Sequence, residues 1–342
     1  MPFQVTIQPS GHQFNVIDDE TILEAALREG FSLPYGCRNG ACGSCKGKVL
    51  AGSLDYGTYQ DNALTPEERA QGRALFCRAR PLSALTIEAK EIGAAKDIVT
   101  KTLPCRVEKL EKRADDVMVM KIKLPANERL QFLAGQYIDF LLKDGRSRSY
   151  SLANPPHDDA QLELHIRHVP GGLFSDPLFS TAKERDILRL KGPLGSFFIR
   201  EDSDKPMIFV AGGTGFAPIK GMLEHAFAAH MDRQMVLYWG VRALKDLYMA
   251  ELPQQWQRER PDFSFIPVLS SPEPADRWQG RTGFVHEAVL ADFPDLSGYQ
   301  VYACGAPVMV DSARATFHQQ RGLPEDEFFA DSFVYAADPV AA

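Results

Sequence analysis

The spacing of four cysteines constrains this chain more than any other feature. Cys37, Cys42 and Cys45 form a Cys-x4-Cys-x2-Cys pattern in a glycine-rich segment, and Cys77 follows 32 residues after Cys45. Four thiolates are what a [2Fe–2S] cluster requires. A zinc site is the main alternative, but zinc sites commonly use two separated Cys-x2-Cys pairs, whereas this segment contains one pair and a tighter cluster. Scattered structural cysteines are the remaining alternative. The pattern favours an iron–sulfur loop with Cys37, Cys42, Cys45 and Cys77 as ligands.

The glycines around these cysteines support the same interpretation. A loop that wraps an anionic cluster needs left-handed backbone conformations and close backbone approach, which glycine allows. Backbone N–H groups of such a loop can then point at the sulfurs and tune the cluster potential. The segment resembles the ferredoxin-like domain at one end of many bacterial reductases. We expect Cys42 and Cys45 to lie near the exposed edge of the cluster, where a partner would dock.

Length and charge limit the possible classes of protein. The chain has 342 residues and a formal net charge of −7. This length is typical of two or three domains, and the negative charge argues against a nucleic-acid partner. No apolar run approaches the roughly 20 residues of a membrane helix. The N-terminus alternates like a strand and shows no signal-peptide pattern. We therefore expect a cytoplasmic protein that does not bind nucleic acid or membranes.

The chain is predicted to contain three domains: residues 1–92, 102–200 and 201–342, with a linker at 93–101. The first begins with a hairpin of Phe3–Ile7 and Gln13–Ile17. Thr21 and Glu24 then match a helix-opening capping box, in which each side chain accepts a hydrogen bond from the other residue's backbone N–H.

The second and third domains differ in their secondary-structure patterns. Residues 102–200 are rich in short strands and turns, including the hairpin signal Asp144-Gly145, which is typical of an antiparallel barrel. Residues 201–342 alternate strands and helices, which predicts a parallel sheet. The candidate strands there are Met207–Ala211, Val236–Trp239, Phe263–Val268 and Val301–Ala303, and a helix is predicted from Ala217 to about His230.

A candidate flavin site follows the predicted hairpin of the second domain. Arg148-Ser149-Tyr150-Ser151 resembles the Arg-x-Tyr-Ser motif of the ferredoxin–NADP reductase superfamily. That resemblance implies that Tyr150 stacks on the isoalloxazine ring of FAD, that Arg148 neutralises the pyrophosphate and that Ser151 lies near flavin N5. The residue types suit these tasks. Residues 93–200 also carry a net positive charge, which agrees with an anionic cofactor. Four residues alone also fit an ordinary strand.

A second segment of this domain resembles another flavin-binding element of the same superfamily. It contains His165 and Arg167, then a turn with Gly171 and Gly172, and it ends at Ser175. The resemblance implies a strand, a turn and a helix start whose backbone N–H groups meet the phosphates. The predicted cofactor-binding residues of this segment are His165, Arg167, Gly172, Leu173 and Ser175.

The third domain carries a candidate nicotinamide site. A predicted strand leads into Gly212-Gly213-Thr214-Gly215-Phe216-Ala217-Pro218, where Pro218 suits a helix start and a pyrophosphate can sit on the helix N-terminus. The pattern is not the Gly-x-Gly-x-x-Gly fingerprint of ordinary dehydrogenases. It resembles the Gly-Thr-Gly-x-Ala-Pro turn of the reductase superfamily, and a generic tight turn is the alternative. The predicted binding residues are Gly213, Thr214, Gly215 and Pro218.

Cys304-Gly305-Ala306-Pro307 resembles the Cys-Gly-x-Pro turn of that superfamily. The resemblance implies that Cys304 sits beside nicotinamide C4 and helps to orient hydride transfer, and that Gly305 contributes to binding. Tyr150, Ser151 and Cys304 are therefore the predicted catalytic residues. A buried structural cysteine is the alternative for Cys304, and it is our interpretation of Cys105, which has no motif around it.

Two further expectations concern the nicotinamide dinucleotide and the C-terminus. Asp246 follows a predicted strand where the adenosine ribose should bind, and an acidic residue there favours NADH by bonding the ribose and repelling a 2′-phosphate. Arg242 and Lys245 could instead favour NADPH; we expect NADH. Phe333 matches loosely the aromatic residue that shields the flavin in the superfamily, and core packing is an equal alternative.

Together these motifs resemble the iron–sulfur flavoprotein reductases of the superfamily: the reductase components of bacterial oxygenases and, most closely, the CDP-6-deoxy-Δ3,4-glucoseen reductases. The resemblance implies a β-grasp [2Fe–2S] ferredoxin domain, an antiparallel β-barrel FAD domain and an α/β parallel-sheet NAD-binding domain. It implies electron transfer from NADH through FAD and the cluster to a separate dehydrase or oxygenase. The alternatives are a free-standing NAD(P)H:flavin or small-acceptor reductase, and a non-enzymatic redox carrier or sensor, which would need neither nucleotide motif.

Overall fold

The computed structural model describes residues 2–17, 19–92 and 98–333. These residues form two compact units. The first lies within residues 1–98 and includes Gly195–Phe197, and the second contains the remaining residues. Residues 93–97 of the predicted linker lie outside the described residues, and Lys101 belongs to a strand.

The first unit contains a five-stranded sheet with a helix packed against it. Its elements are β1 Phe3–Gln8, β2 Gln13–Val16, α1 Ile22–Arg28, β3 Lys46–Ala51, β4 Leu54–Asp55, α2 Pro66–Ala70, β5 Arg73–Leu75, β6 Arg80–Pro81 and β7 Leu85–Glu88. The sheet order is β2-β1-β7-β3-β5, with β1 and β7 parallel and the other pairs antiparallel. This is the expected β-grasp arrangement, because α1 follows the β1–β2 hairpin and the last strand, β7, pairs in parallel with the first strand, β1.

Local sequence signals account for the start of this unit. The predicted hairpin is confirmed as β1 paired with β2. The predicted capping box is also confirmed: the Glu24 backbone N–H donates to Thr21 Oγ1 over 3.2 Å, and the Thr21 backbone N–H donates to Glu24 Oε2 over 2.9 Å. These bonds satisfy backbone donors that the first helical turn leaves without partners.

The second unit begins with a six-stranded antiparallel sheet. Its elements are β8 Lys101–Ala114, β9 Val117–Lys123, β10 Tyr137–Leu141, β11 Ser147–Ser151, β12 Leu162–Arg167, α3 Ser175–Ser180 and β13 Ile187–Leu194. The order is β11-β10-β13-β8-β9-β12, and an antiparallel bridge between Leu152 and Leu164 brings the two outermost strands together. The predicted barrel is therefore confirmed, and its interior is filled by apolar side chains of the strands.

An α/β domain completes the second unit. Its elements are β14 Met207–Gly212, α4 Phe216–Ala228, β15 Met235–Val241, α5 Glu251–Glu259, β16 Phe263–Leu269, β17 Arg281–Thr282, α6 Val285–Asp292, β18 Gln300–Gly305, α7 Pro307–Arg321 and β19 Phe328–Ser332. All strand pairs are parallel, in the order β17-β16-β15-β14-β18-β19. The order reverses between β14 and β18, and ligands of such sheets bind at the carboxyl ends of the strands flanking that reversal. Among the described residues, no helix is long and apolar enough to cross a membrane.

Candidate functional site

The four cysteines of the first unit lie together as two pairs. The thiols of Cys37 and Cys42 are hydrogen-bonded to each other, and so are those of Cys45 and Cys77. Cys42 also interacts electrostatically with Cys45 and Cys77, so the two pairs are adjacent. Within the described residues, no three His, Cys, Asp or Glu side chains converge on a position for one metal ion. Two neighbouring pairs of thiols instead suit two irons with two thiolates each, as a [2Fe–2S] cluster requires.

Backbone N–H groups surround these sulfurs. The hydrogen bond from the Cys42 thiol, together with backbone N–H bonds from Asn39, Ala41 and Cys42, lowers the pKa of Cys37 to about 6. The Cys37 backbone N–H donates to Cys42 Sγ over 3.3 Å. A further backbone bond from Gly40 reaches the Cys77 sulfur. These donors stabilise negative charge on sulfur, which is the condition a thiolate-held cluster imposes on its surroundings.

Two positions need glycine, Gly40 in the cysteine loop and Gly47 at the start of β3. Gly40 has φ of +80°, and a Cβ there would lie 2.8 Å from Arg78 Cγ and 3.1 Å from the Thr58 carbonyl oxygen. Gly47 has an ordinary φ, but its Cβ would lie 2.2 Å from the Phe76 ring. The loop is therefore held by close backbone packing in addition to the cysteines.

The four cysteines differ in exposure. Cys42 and Cys45 have only 8% and 3% of their surface exposed, whereas Cys37 is half-buried. The position of Cys42 and Cys45 near the exposed edge of the cluster stays a prediction. Backbone N–H groups turn the loop inward around its sulfurs, so the exposed surface there belongs to neighbours such as Asn39.

Strand β11 presents the predicted flavin motif at the end of the barrel sheet. It pairs with β10, so that Tyr150 lies opposite Ile138 and Ser151 opposite Tyr137. The Tyr150 ring packs against Phe174 with a centroid distance of 5.2 Å. Burial raises the pKa of Tyr150, and the neighbouring Arg148 charge only partly opposes this. Tyr150 is thus a neutral, half-buried ring beside a guanidinium, a combination that suits a planar anionic cofactor.

The segment after β12 forms a closed turn before α3. Ser175 Oγ donates to the Val169 carbonyl and accepts from the Val169 backbone N–H, both over 3.0 Å. A Cβ at Gly172 would lie 2.5 Å from Ser175 Oγ, so this turn needs glycine. Leu173 is half-buried. The Ser175 hydroxyl therefore closes the turn, and the predicted cofactor contact of Ser175 stays a prediction.

The His165 ring is enclosed by protein groups, and the predicted role of His165 in cofactor binding stays a prediction. The His165 side chain has no exposed surface. Its Nε2 lies 3.0 Å from Glu163 Oε1 and its Nδ1 lies 2.8 Å from the Tyr248 hydroxyl. Burial lowers the pKa of His165, so the ring is neutral. Because a carboxylate only accepts, Nε2 carries the proton and the Tyr248 O–H donates to Nδ1.

The glycine turn lies at the reversal of the parallel sheet. Gly213–Gly215 form a 3-10 turn between β14 and α4, and Gly213 has φ of +54°. A Cβ at Gly215 would lie 2.0 Å from the Cys304 carbonyl oxygen, and one at Gly305 would lie 3.0 Å from Gly212 Cα. The structure therefore brings the two predicted nicotinamide motifs into backbone contact. Thr214 and Pro218 are buried at the same turn and at the start of α4.

Cys304 is completely buried at the end of β18, opposite Asp331 of β19. Burial, and secondarily the Asp331 charge, raises the pKa of Cys304 well above its usual range, so its thiol is neutral. Phe333 follows β19 and is half-buried, and its backbone N–H donates to the Gly305 carbonyl over 2.8 Å. Cys105 is buried in the barrel core, where burial raises its pKa to about 12.

Asp246 lies in a short 3-10 turn after β15. Its Oδ2 accepts from the Ala243 backbone N–H over 3.0 Å, which leaves its other carboxylate oxygen for a ligand. The Lys245 ammonium is paired with Glu273 over 2.6 Å. Arg242 is exposed.

Three residues at the contact between the barrel and the α/β domain, Glu163, Lys220 and Tyr248, were not predicted from the sequence. Lys220 of α4 is buried against Glu163 of β12, and Tyr248 is bonded to His165. Arg167 was predicted as a cofactor ligand; its Nη1 donates to Asp116 Oδ2 over 2.6 Å. The only signal in the sequence was a charged residue within an otherwise apolar helix segment, Ala217-Pro218-Ile219-Lys220-Gly221-Met222.

Comparison with known proteins gives three matches to family models. A 2Fe-2S iron-sulfur cluster binding domain matches residues 5–82, an oxidoreductase FAD-binding domain matches residues 104–199 and an oxidoreductase NAD-binding domain matches residues 209–315. These matches confirm the predicted fold class and the predicted set of [2Fe–2S], FAD and NAD as cofactors.

Similar proteins align with the chain from end to end. The CDP-6-deoxy-L-threo-D-glycero-4-hexulose-3-dehydrase reductase of Yersinia pestis is 40% identical over 334 residues, covering 98% of this chain and 99% of the relative. The terephthalate 1,2-dioxygenase reductase component 2 of Comamonas sp. is 36% identical over 97% of this chain and 98% of the relative. The crystal structure of the Amycolatopsis cytochrome P450 reductase GcoB superimposes with a TM-score of 0.77 and 36% identity, covering 97% of this chain and 98% of that chain.

Proposed function

Because this chain belongs to the family of iron–sulfur flavoprotein reductases, we propose that it oxidises NADH and passes the electrons through FAD and a [2Fe–2S] cluster to a separate enzyme. The observation that carries this proposal is the presence of all three domains in one chain that aligns with named reductases over nearly its whole length. The electron acceptor we propose is a dehydrase or an oxygenase, since the relatives serve both classes.

The chemistry explains why three domains are joined. FAD held beside Arg148 and Tyr150 would accept two electrons as hydride from NADH, and a cluster held by the four cysteines would take them one at a time. The protein's own task is to hold each group in place and to exclude water. We propose Cys37 and Cys42 as the ligands of one iron, and Cys45 and Cys77 as the ligands of the other. Their pairing and the surrounding backbone N–H groups support this assignment.

On the flavin side, we propose that Tyr150 covers one face of the isoalloxazine ring and that Arg148 neutralises the pyrophosphate. The phenol stays neutral because burial raises its pKa, so Tyr150 places no negative charge on the ring face. Ser151 is buried directly after Tyr150 and offers a hydroxyl on the same strand. We keep Gly172 and Leu173 as contacts through the backbone of their turn, and Phe333 as a shield for the opposite face.

On the nicotinamide side, we propose that the dinucleotide binds at the sheet reversal, with its pyrophosphate on Gly213, Thr214 and Gly215 at the start of α4. Cys304 and Gly305 then border the nicotinamide. The Cys304 thiol there is neutral, because burial raises its pKa well above its usual range.

The preference for NADH over NADPH rests on Asp246. One carboxylate oxygen of Asp246 holds the turn, and we propose that the other accepts a hydrogen bond from the adenosine ribose. Lys245 is already neutralised by Glu273, so it offers little attraction to a 2′-phosphate. Asp246→Ser should therefore raise the kcat/KM for NADPH relative to that for NADH.

We also propose that the protein works in the cytoplasm. The six cysteines form no disulfide, as is usual for proteins of a reducing compartment.

Anaerobic titration of the purified protein with NADH tests the electron path. We expect the flavin absorption to bleach and a [2Fe–2S] signal to appear in the electron paramagnetic resonance spectrum. The variant Cys77→Ser should lose the cluster signal and cytochrome c reduction but keep NADH-dependent flavin bleaching, with Cys105→Ser as a matched control that retains all three. A reductase that delivers electrons to small acceptors directly from FAD would still reduce cytochrome c in the Cys77→Ser variant. That result would contradict the proposal.

A further inference from the structure

Strand β12 carries polar and charged residues on the side that faces away from the barrel core. Leu162, Leu164 and Ile166 belong to the core of the barrel. Because successive side chains of a strand point to opposite faces, the intervening residues face outward. These residues are Glu163, His165 and Arg167, and they meet Lys220, Tyr248 and Gly213 of the α/β domain, respectively.

Among these residues, Lys220 has an ammonium group with three nearby acceptors. Its side chain is 9% exposed. Its ammonium lies 3.2 Å from Glu163 Oε1, 2.9 Å from Glu224 Oε2 and 3.1 Å from the Ala153 carbonyl oxygen. An ammonium has three donors, so all three are used. Two of the acceptors belong to the barrel, and Lys220 itself belongs to helix α4 of the α/β domain.

The helix backbone also approaches the barrel closely at this point. A Cβ at Gly221 would lie 3.0 Å from the Asn154 carbonyl oxygen and 3.3 Å from both the Ala153 carbonyl carbon and the Leu152 oxygen. Helix α4 therefore rests on the chain segment that directly follows Ser151. The Arg167 guanidinium lies equally close to the glycine turn, with Nη2 3.0 Å from a Cβ built on Gly213.

We infer that Lys220 is a positioning residue for hydride transfer. It joins the segment after β11 to helix α4, which directly follows the Gly213–Gly215 turn, and so it sets the distance between flavin and nicotinamide. This inference rests on the function proposed above. Lys220 itself need not contact either cofactor, since its three acceptors are all protein groups.

The physical reason is the steep dependence of hydride transfer on geometry. A displacement of about 1 Å at a reacting centre can cost roughly 100-fold in rate. Removing the ammonium takes a hydrogen bond from the Ala153 carbonyl and leaves Glu163 with His165 but without its buried cation, so the helix and the barrel segment would separate or admit water. We expect such a change to slow hydride transfer more than it weakens NADH binding.

The test is Lys220→Met, which keeps the length of the side chain and removes its charge. Lys121→Met is the matched control. Lys121 pairs with the same carboxylate, with its Nζ 3.4 Å from Glu163 Oε2, but it is 40% exposed and lies on the barrel strand β9. Both variants remove a positive charge from Glu163, and only Lys220→Met breaks the link to α4.

The measurement is anaerobic rapid mixing of the FAD- and cluster-loaded full chain with a range of NADH concentrations. Flavin bleaching gives the limiting reduction rate and the apparent Kd for NADH, and the long-wavelength absorption of stacked NADH and flavin reports their approach. We expect Lys220→Met to lower the limiting rate about tenfold or more, to weaken the charge-transfer absorption and to leave the Kd within about twofold. Lys121→Met should behave as wild type.

Three results would overturn the inference: a wild-type limiting rate in Lys220→Met, an equal loss in Lys121→Met, or a loss that appears only in the Kd. If Lys220→Met fails to retain FAD, Lys220→Arg decides, because it keeps the charge but its planar donors do not match three separate acceptors. We expect Lys220→Arg to retain FAD and to have a lowered limiting rate; an unchanged rate would overturn the inference. Failure of wild type itself to be reduced by NADH would instead reject the proposed function.

Discussion

The backbone contact between the glycine turn and the Cys304 turn makes Gly215→Ala the most informative single substitution. A methyl group at Gly215 would lie 2.0 Å from the Cys304 carbonyl oxygen, 2.5 Å from its carbonyl carbon and 2.9 Å from the Gly305 nitrogen. An ordinary carbon–oxygen contact is about 3.3–3.6 Å. The two turns must therefore separate by more than about 1 Å, because all three obstructing atoms belong to the backbone and no rotamer change relieves them.

The expected magnitudes follow from that separation. Overpacking of a close-packed interior typically costs about 1–3 kcal/mol. In a unit of this size, each kcal/mol lowers the unfolding temperature by about 2–4 °C. A displacement of about 1 Å between the nicotinamide site and Cys304 should slow hydride transfer by roughly 100-fold. We expect Gly215→Ala to keep its FAD and cluster, because the obstructing contact involves only the α/β domain.

The assay compares Gly215→Ala with Gly298→Ala. Gly298 is an exposed glycine of the same domain whose Cβ would meet nothing within 4 Å. Differential scanning calorimetry gives the unfolding temperatures, and anaerobic flavin reduction by NADH gives the rates. If Gly215→Ala reduces its flavin within twofold of Gly298→Ala and unfolds at the same temperature, then the close approach of the two turns does not govern the nicotinamide site.

Three further predictions concern protonation and local stability. Because burial raises the pKa of Cys304 well above its usual range, iodoacetamide at pH 8 should label Cys304 only after unfolding, and rapid labelling found by peptide mass spectrometry in the folded protein would contradict this. Burial alone would raise the pKa of Glu163, but His165 and Lys220 hold it well below its usual range. Its stabilising contribution is therefore present above the unfolded pKa of about 4.3 and lost as pH falls, so Glu163→Gln should flatten the acid limb of a plot of unfolding free energy against pH. Thr21→Ala should destabilise the cluster domain by about 1 kcal/mol, measured as a lower urea midpoint for loss of cluster absorption; an unchanged midpoint would show that the capping box contributes nothing.

Much of the fold could be predicted because its signals are local. The Asp144-Gly145 turn, the Thr21 capping box and the glycine turn at Gly213 each depend on a few adjacent residues, and the structure contains all three elements. The four cysteines could be assigned together because their spacing reflects the chemistry of one cluster. The site residues were less predictable, because a motif indicates the position of a residue in the chain but not the groups that its side chain contacts.

Ser175 and His165 show that a motif does not indicate which groups a side chain contacts. Ser175 matched a phosphate-binding element, and in the structure its hydroxyl closes its own turn, as a serine near a helix start commonly does. His165 lies on the outer face of a barrel strand, where alternation alone predicts contact with solvent or a ligand. A second domain covers that face, so β12 is buried on both sides and His165 is enclosed by Tyr248 and Glu163.

The outer face of β12 also explains why Lys220 could not be identified from the sequence. Its partners Glu163 and Ala153 are distant along the chain, and a lysine in a helix is ordinarily exposed. Burying an ammonium is costly unless nearby acceptors compensate, and hydrophobic residues of similar volume often serve stability equally well. What an ion pair adds is a defined position, because its donors and acceptors must meet at fixed distances. Hydride transfer depends on the separation of the flavin and nicotinamide rings, so a reductase benefits when the domains that bind them are held at a fixed position. Lys220 provides that fixed position at the contact between the barrel and helix α4, which follows the Gly213–Gly215 turn.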